Sequence, residues 1–264
     1  MTNDQIIALA ASIAACVSGI AGAISGFAAL RTNKEMVRQR QASYQPELAF
    51  SRVVFEACSD PVIETALPLL WISGSKQQSP DNSGTAKPPK TKLTLPLSNV
   101  GLGAARDVQI TWSFALDQAI ERLNDAAKIT KTPMSIRQEN QIVHIDSGPF
   151  GKFSSMWRNQ QKLSLNFLMP LTESDEATPI EIPHTYIAIC CIELFLATKQ
   201  ASQPKLGKTL SLDLPNLVAD IRYSDIGGST HHRTFEFTID IVAVAGDAKI
   251  FTGFINCRNR HVAK

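Results

Sequence analysis

His231 and His232, with the Asp225 carboxylate six residues upstream, come nearest in this chain to a metal centre by residue type. An ion held there would acidify a bound water and support hydrolysis. Two adjacent imidazoles in a loop, without a spaced third ligand, are more often plain polar residues. His144 and Asp146 stand two apart, so on a strand they share a face and form a possible acid–base pair; a solvated polar face explains them equally well. Glu193 sits inside the apolar run IAICCIELFLA, where burying a carboxylate demands a partner. An edge position or a buried hydrogen bond satisfies it without catalysis. The tail from Cys257 through Arg258, Arg260 and His261 to Lys264 is basic and reads as a frayed, solvated terminus.

Five cysteines, Cys16, Cys58, Cys190, Cys191 and Cys257, are an odd number at spacings that make no disulfide framework, so reduced thiols are expected. On a strand, Cys190 and Cys191 would point to opposite faces and could not share an ion. The chain has no G-x-x-x-x-G-K-[ST], no G-x-S-x-G, no H-E-x-x-H and no paired C-x-x-C. Gly101-Leu-Gly103 lacks the third glycine of a dinucleotide fingerprint. The expectation is a protein that is not an enzyme and carries no cofactor or metal.

The elements that would position these residues begin with an uncharged apolar run, Ile6 to Leu30. As a helix rising about 1.5 Å per residue, it is long enough to cross a hydrocarbon core of about 30 Å with some tilt. Arg31, Lys34, Arg38 and Arg40 follow, against the single Glu35, while Met1 to Gln5 hold no Lys or Arg. Positive charge favours the cytoplasmic side. The reading is a single-pass protein of the inner membrane, N-terminus outside, with residues 31–264 in the cytoplasm. The basic turns also attract anionic headgroups, so membrane lipid is the expected partner there. A secretory signal would want a basic n-region and a shorter core. Ile13-Ala14-Ala15-Cys16 resembles a lipobox, but the apolar run continues well past Cys16. A buried helix of a soluble protein is the third alternative. Ala14, Ser18, Gly22 and Gly26 recur every fourth residue and share one helix face, a pattern that lets membrane helices approach closely. A homo-oligomer is expected from it, although a helix this rich in small residues also matches by chance. The net charge of +2 does not suggest a nucleic-acid partner.

The helix should end near Pro46, and from Glu47 onward apolar residues alternate with a period of two. Leu48–Ala57 reads as a first strand and Ile63–Ile72 as a second apolar stretch. Residues 73–92 are polar and proline-bearing and read as a mobile loop. Leu93, Leu95 and Leu97 alternate. So do Val108, Ile110, Trp112 and Phe114, then Leu163, Leu165, Phe167 and Met169. Gln141–Ile145, Tyr186–Leu196, Val218–Tyr223, Thr234–Val244 and Ile250–Asn256 read as further strands, with 224–232 a loop. Asp117–Lys128 is the one helix expected after the membrane. The fold class is therefore mainly β: an N-terminal transmembrane helix (1–30), a basic juxtamembrane segment (31–46), and an antiparallel sandwich (47–264) with a helical insert at 117–128.

Leu97-Ser-Asn-Val-Gly-Leu-Gly-Ala-Ala-Arg-Asp-Val108 resembles the N-x-G-x-G-x-A-x-D-V strand-turn-strand motif of bacterial immunoglobulin-like sandwiches. Ile221-Arg-Tyr-Ser-Asp-Ile-Gly227 resembles the Y-x-D-x-x-G hairpin of the same single-pass proteins. The resemblance implies an immunoglobulin-like sandwich behind a membrane helix, with structural roles for Asn99, Gly101, Gly103, Tyr223, Asp225 and Gly227. It implies no activity. The leading reading is a non-enzymatic, membrane-tethered binding or sensing module that self-associates through its helix and answers an unidentified protein or small-molecule signal. An effector in bacterial defence is one version. The alternatives are a scaffold or accessory subunit of a membrane complex, and a membrane-bound metal-dependent hydrolase using the His231-His232 loop.

Overall fold

The computed structural model of the chain describes residues 3–58, 67–73, 92–148, 151–174, 176–200, 210–211, 215–245 and 250–260; of 5–12, 40–43, 200 and 210–211 it describes the backbone alone. The loop read at 73–92 lies outside this set except for its two end residues, as do residues 63–66 of the second apolar stretch and His261 to Lys264. The chain divides into two compact units, Met1–Gln45 and Pro46–Lys264.

The first unit is one helix, α1 (Asn3–Ser43). Alanine and unbranched residues favour it, Arg31 lies over the Phe27 ring one turn back at 6.0 Å, and Pro46 follows closely after its end. Within it, Ile13–Gln39 is long and apolar enough to cross a membrane, with an 18-residue window of mean hydropathy 1.9 and nothing buried.

The second unit is mainly β and sandwich-like. Its elements are β1 (Leu48–Phe50), β2 (Val53–Cys58), β3 (Leu70–Ser73), β4 (Thr94–Asn99), β5 (Ala105–Ser113), α2 (Leu116–Ile129), β6 (Ser135–Glu139), β7 (Ile142–Asp146), β8 (Lys152–Met156), α3 (Trp157–Gln160), β9 (Lys162–Leu168), β10 (Thr178–Glu181), α4 (His184–Gln200), β11 (Leu210–Ser211), β12 (Leu217–Ser224), β13 (Thr230–Ala245) and β14 (Ile250–Arg260). An eight-stranded sheet runs β3-β2-β14-β13-β12-β5-β9, with β11 paired to β13 off that path; β1-β4-β10 and β6-β7-β8 form two three-stranded sheets. The strand pairs are antiparallel.

Period-two patterning builds the core. Val108, Ile110 and Trp112 of β5, Ala219 and Ile221 of β12, and Phe235, Phe237 and Ile239 of β13 are all buried. Phe50 of β1 crosses between sheets and meets Phe235 and Phe237 edge-on, at centroid distances of 5.2 and 5.0 Å. Phe55 stacks on Trp71 at 4.4 Å. Gly253 of β14 lies beneath that stack, where an added Cβ would meet two Phe55 ring carbons at 2.9 Å and the Asp240 carbonyl.

Four readings of the sequence are corrected. Leu48–Ala57 is two strands, because the chain crosses from the sheet of β4 to that of β14 after Phe50. Tyr186–Leu196 is not a strand but the middle of α4, a helix buried on nearly every side. A run that is apolar throughout carries no period, so burial alone cannot separate a central strand from a core helix. Asp117–Lys128, within α2, is therefore not the only helix of this unit. Finally, the tail is ordered through Arg260, which pairs with Thr234 of β13.

On α4 the adjacent cysteines face different neighbours. The Cys191 thiol donates to the Pro68 carbonyl at 2.9 Å, and the Trp71 indole donates to its sulfur at 3.1 Å. Burial pushes the Cys191 thiol up to about 12 and drives Cys190 well above its ordinary value, leaving both without thiolate character. Glu193 faces Arg122 of α2 at 4.0 Å, the partner its apolar surroundings demand.

Asn99 closes the sandwich at the end where the chain enters it. Its Oδ1 accepts from the backbone N–H of Glu47 and of Gly101, both at 3.1 Å. Its Nδ2 donates to the carbonyls of Gly103 at 2.7 Å and Leu168 at 3.1 Å. One buried amide thus ties β1, the β4–β5 turn and β9 together. Asn99→Ala should cost about 2–4 kcal/mol, because buried backbone groups lose their partners. Asn99→Asp should cost as much, since it turns a donor into an acceptor facing two carbonyls. Urea unfolding of the full chain in detergent, followed by tryptophan emission, measures both; unfolding midpoints equal to wild type would show that the amide contributes nothing.

Candidate functional site

The β12–β13 hairpin carries the sequence-named polar residues. Asp225 closes it: its Oδ1 accepts from the Ser229 N–H at 2.8 Å, and its own N–H donates to the Ser229 carbonyl at 2.9 Å. Its Oδ2 lies 3.1 Å from His231 Nε2. Burial acts to raise the Asp225 carboxyl, but the bonds from His231 and Ser229 outweigh it and hold the group below its ordinary value. Gly228 takes the left-handed φ of 84° that the turn requires. Gly227, named from the sequence, instead lies close to the carboxylate, where an added Cβ would stand 3.2 Å from Asp225 Oδ1. Tyr223 is buried, stacks on the His231 ring at 5.2 Å, and donates its hydroxyl to the Pro46 carbonyl at 3.3 Å. Burial raises that hydroxyl's pKa, against the pull of Arg233.

His231 and His232 lie on β13 itself rather than in the loop, which shortens the expected 224–232 loop. Adjacent strand positions face opposite ways. His231 accordingly meets Asp225, whereas His232 Nε2 lies 3.5 Å from Asp220 on the other side. The pair does not converge on one point.

Beside the hairpin opens a polar cleft of about 530 Å³. Strand register sets Gln109, Arg222 and His232 side by side across β5, β12 and β13. Asp107 borders the cleft in the left-handed region, φ 51°, where the β5–β12 register slips by one residue. An amide, a guanidinium and an imidazole in a row suit hydrogen-bonded recognition of a polar ligand or peptide segment. Two more clefts exist. One, of about 510 Å³, lies between Phe114, Trp157, Arg158 and the start of α2. The other, of about 390 Å³, holds His144 and Asp146.

His144 and Asp146 do not pair. His144 Nδ1 bonds Ser154 at 2.8 Å, and Asp146 bonds Lys152 at 2.7 Å. The Lys152 bond, then the Gly148 N–H, hold the Asp146 carboxyl below its usual value. His184 meets Lys92 at 2.9 Å, and burial followed by that cation lowers its pKa. Among the described residues, no three His, Cys, Asp or Glu side chains stand close enough to hold a metal ion.

On α1, Ala14, Ser18, Gly22 and Gly26 are exposed, and an added Cβ on either glycine would meet nothing within 4 Å. Arg31, Lys34 and Arg38 are also exposed; the Arg40 side chain lies outside the described set. Sequence reasoning missed Gln109 and Arg222. Alternation puts both on outward faces, but only strand register makes them neighbours. No known protein family, curated protein or solved structure matches this chain.

Because the folded-state pKa of Asp225 is depressed, its contribution is present above the unfolded value near 3.8 and is lost as pH falls through the lower folded value. Wild type should exceed Asp225→Asn by about 1 kcal/mol at pH 5, and the margin should shrink progressively as the pH falls below the unfolded value. Urea titrations from pH 5 downward check this; a margin that stays constant down to the lowest pH would contradict it.

Proposed function

We propose that this chain is a membrane-tethered, non-enzymatic binding or sensing module. One observation carries the proposal: within Ile13–Gln39, α1 holds an 18-residue window with a mean hydropathy of 1.9 and no buried side chain, while the β-rich unit has a core of its own. Apolar surface of that extent is stable only where something other than water covers it, and a bilayer does so along the whole length. Arg31, Lys34, Arg38 and Arg40 support a cytoplasmic position for the sandwich. The divergence of His231 and His232 onto separate carboxylates supports recognition over metal-dependent hydrolysis. The polar cleft beside the β12–β13 hairpin is the candidate recognition surface. The small face of α1, open at Gly22 and Gly26, supports self-association in the membrane.

Two measurements test this. In intact spheroplasts the sandwich should resist added protease, and in inverted vesicles it should be digested; the reverse pattern would overturn the orientation. Crosslinking in native membranes should trap a homo-oligomer that Gly22→Leu and Gly26→Leu weaken several-fold, because larger side chains hold the backbones apart. Identical ladders for wild type and both variants would remove the self-association.

A further inference from the structure

One sheet face beside the β12–β13 hairpin gathers hydrogen-bond donors from three strands. Arg222 and Ser224 stand two apart on β12, and Thr230 and His232 two apart on β13, so each pair shares a face. Register sets Arg222 against Gln109 on one side and His232 on the other, and Ser224 against Thr230. All five line the polar cleft. Neighbouring strands lie about 4.8 Å apart, so the row Gln109, Arg222, His232 spans about 10 Å at the backbone, within which long side chains can lean toward one bound group. Among the described residues, the Arg222 guanidinium and the Gln109 amide have no hydrogen-bond or ion-pair partner. Lys92, Arg122, Lys128, Arg137 and Lys152, by contrast, are each set against a carboxylate. His232 Nε2 stands 3.5 Å from Asp220, a carboxylate that also accepts from the Thr234 hydroxyl at 2.7 Å. Asp107 borders the cleft where the β5–β12 register slips.

We infer that this cleft binds the phosphate group of a small phosphomonoester, with Arg222 as its fork and Gln109, Ser224, Thr230 and His232 meeting the remaining oxygens. The inference rests on the reading of this cleft as the recognition surface, and names its ligand. A guanidinium without a carboxylate partner selects an oxyanion and holds it by two parallel N–H bonds. A carboxylate offers two oxygens in one plane, which that fork satisfies alone. A phosphomonoester presents three acceptor oxygens, so it engages donors from neighbouring strands as well. The cleft volume of about 530 Å³ suits a small molecule. Asp107 on the rim and Asp220 beside His232 limit the positive charge of this face, which favours one phosphate over a polyanion.

The test uses the full chain in maltoside micelles, which carry no phosphate, at fixed pH and ionic strength. Inorganic phosphate is titrated, and the His232 ring is followed by NMR of isotope-labelled histidine, its signal assigned with His232→Gln. Phosphate should shift that signal saturably. Arg222→Gln should weaken the binding about ten-fold, and Arg222→Lys about three-fold, because lysine keeps the charge and loses the fork. Arg222 is exposed, and unchanged emission from the buried Trp71, Trp112 and Trp157 checks that each variant is folded. Acetate, or the diester dimethyl phosphate, binding as tightly as phosphate and depending equally on Arg222 would overturn the phosphomonoester and leave the cleft standing as the recognition surface. A saturable phosphate response indifferent to Arg222→Gln would put the site elsewhere and overturn the reading of this cleft together with the inference. Silence of His232 toward all three probes would overturn the inference alone.

Discussion

The apolar surface of α1 must be kept from water. Each large aliphatic side chain transferred out of water contributes about 1.5–3 kcal/mol, and among the described residues nothing covers Ile13 to Leu30. That constraint separates the two units: the β-rich unit needs no help from α1 to bury its own core, and α1 offers nothing that the core requires. The protein divides its hydrophobic residues into a set that folds a sandwich and a set that stays exposed on a helix long and apolar enough to cross a bilayer.

Within the sandwich, the entry end is held by polar bonds and the centre by packing. Asn99 satisfies four backbone groups from three segments, and the Tyr223 hydroxyl reaches the Pro46 carbonyl from β12. Buried amides of this kind specify geometry because any displacement strands several donors and acceptors at once. In the centre, Gly253 lets Phe55 and Trp71 lie against bare backbone, and Trp71 in turn bonds the sulfur of Cys191 on α4. The chain between Pro46 and Asn99 is thus fixed at its first residues and again beneath α4.

Much of this was legible in the sequence, for identifiable reasons. Strands with one face in the core alternate, and β5, β12 and β13 alternate cleanly. The stripe Ala119, Ile120, Leu123 and Ala127 marks α2 by its helical spacing, and the helix buries three of these together with Leu116. α4 was illegible as a helix because burial on all sides erases the period that separates helix from strand. The outward turn of Phe167 and Met169 was illegible for another reason: the core position at this end of β9 is Leu168, between them, and alternation in the sequence does not show where the inward side switches. The polar cleft was legible only in parts, since Gln109, Arg222 and His232 become neighbours through pairings among three strands distant in sequence. His231 and His232 were overread as a pair, because loop and strand assign adjacent side chains opposite geometries.

The binding reading follows from the same division. The sandwich buries Cys190 and Cys191, engages each histidine of its hairpin separately and presents hydrogen-bonding side chains on an open sheet face. The measurement that tests the central claim most directly is alkaline carbonate extraction of cells expressing the full chain, with flotation of the pellet on a density gradient. The account predicts that the chain stays with the lipid and that detergent alone releases it; a chain recovered freely soluble without detergent would contradict it.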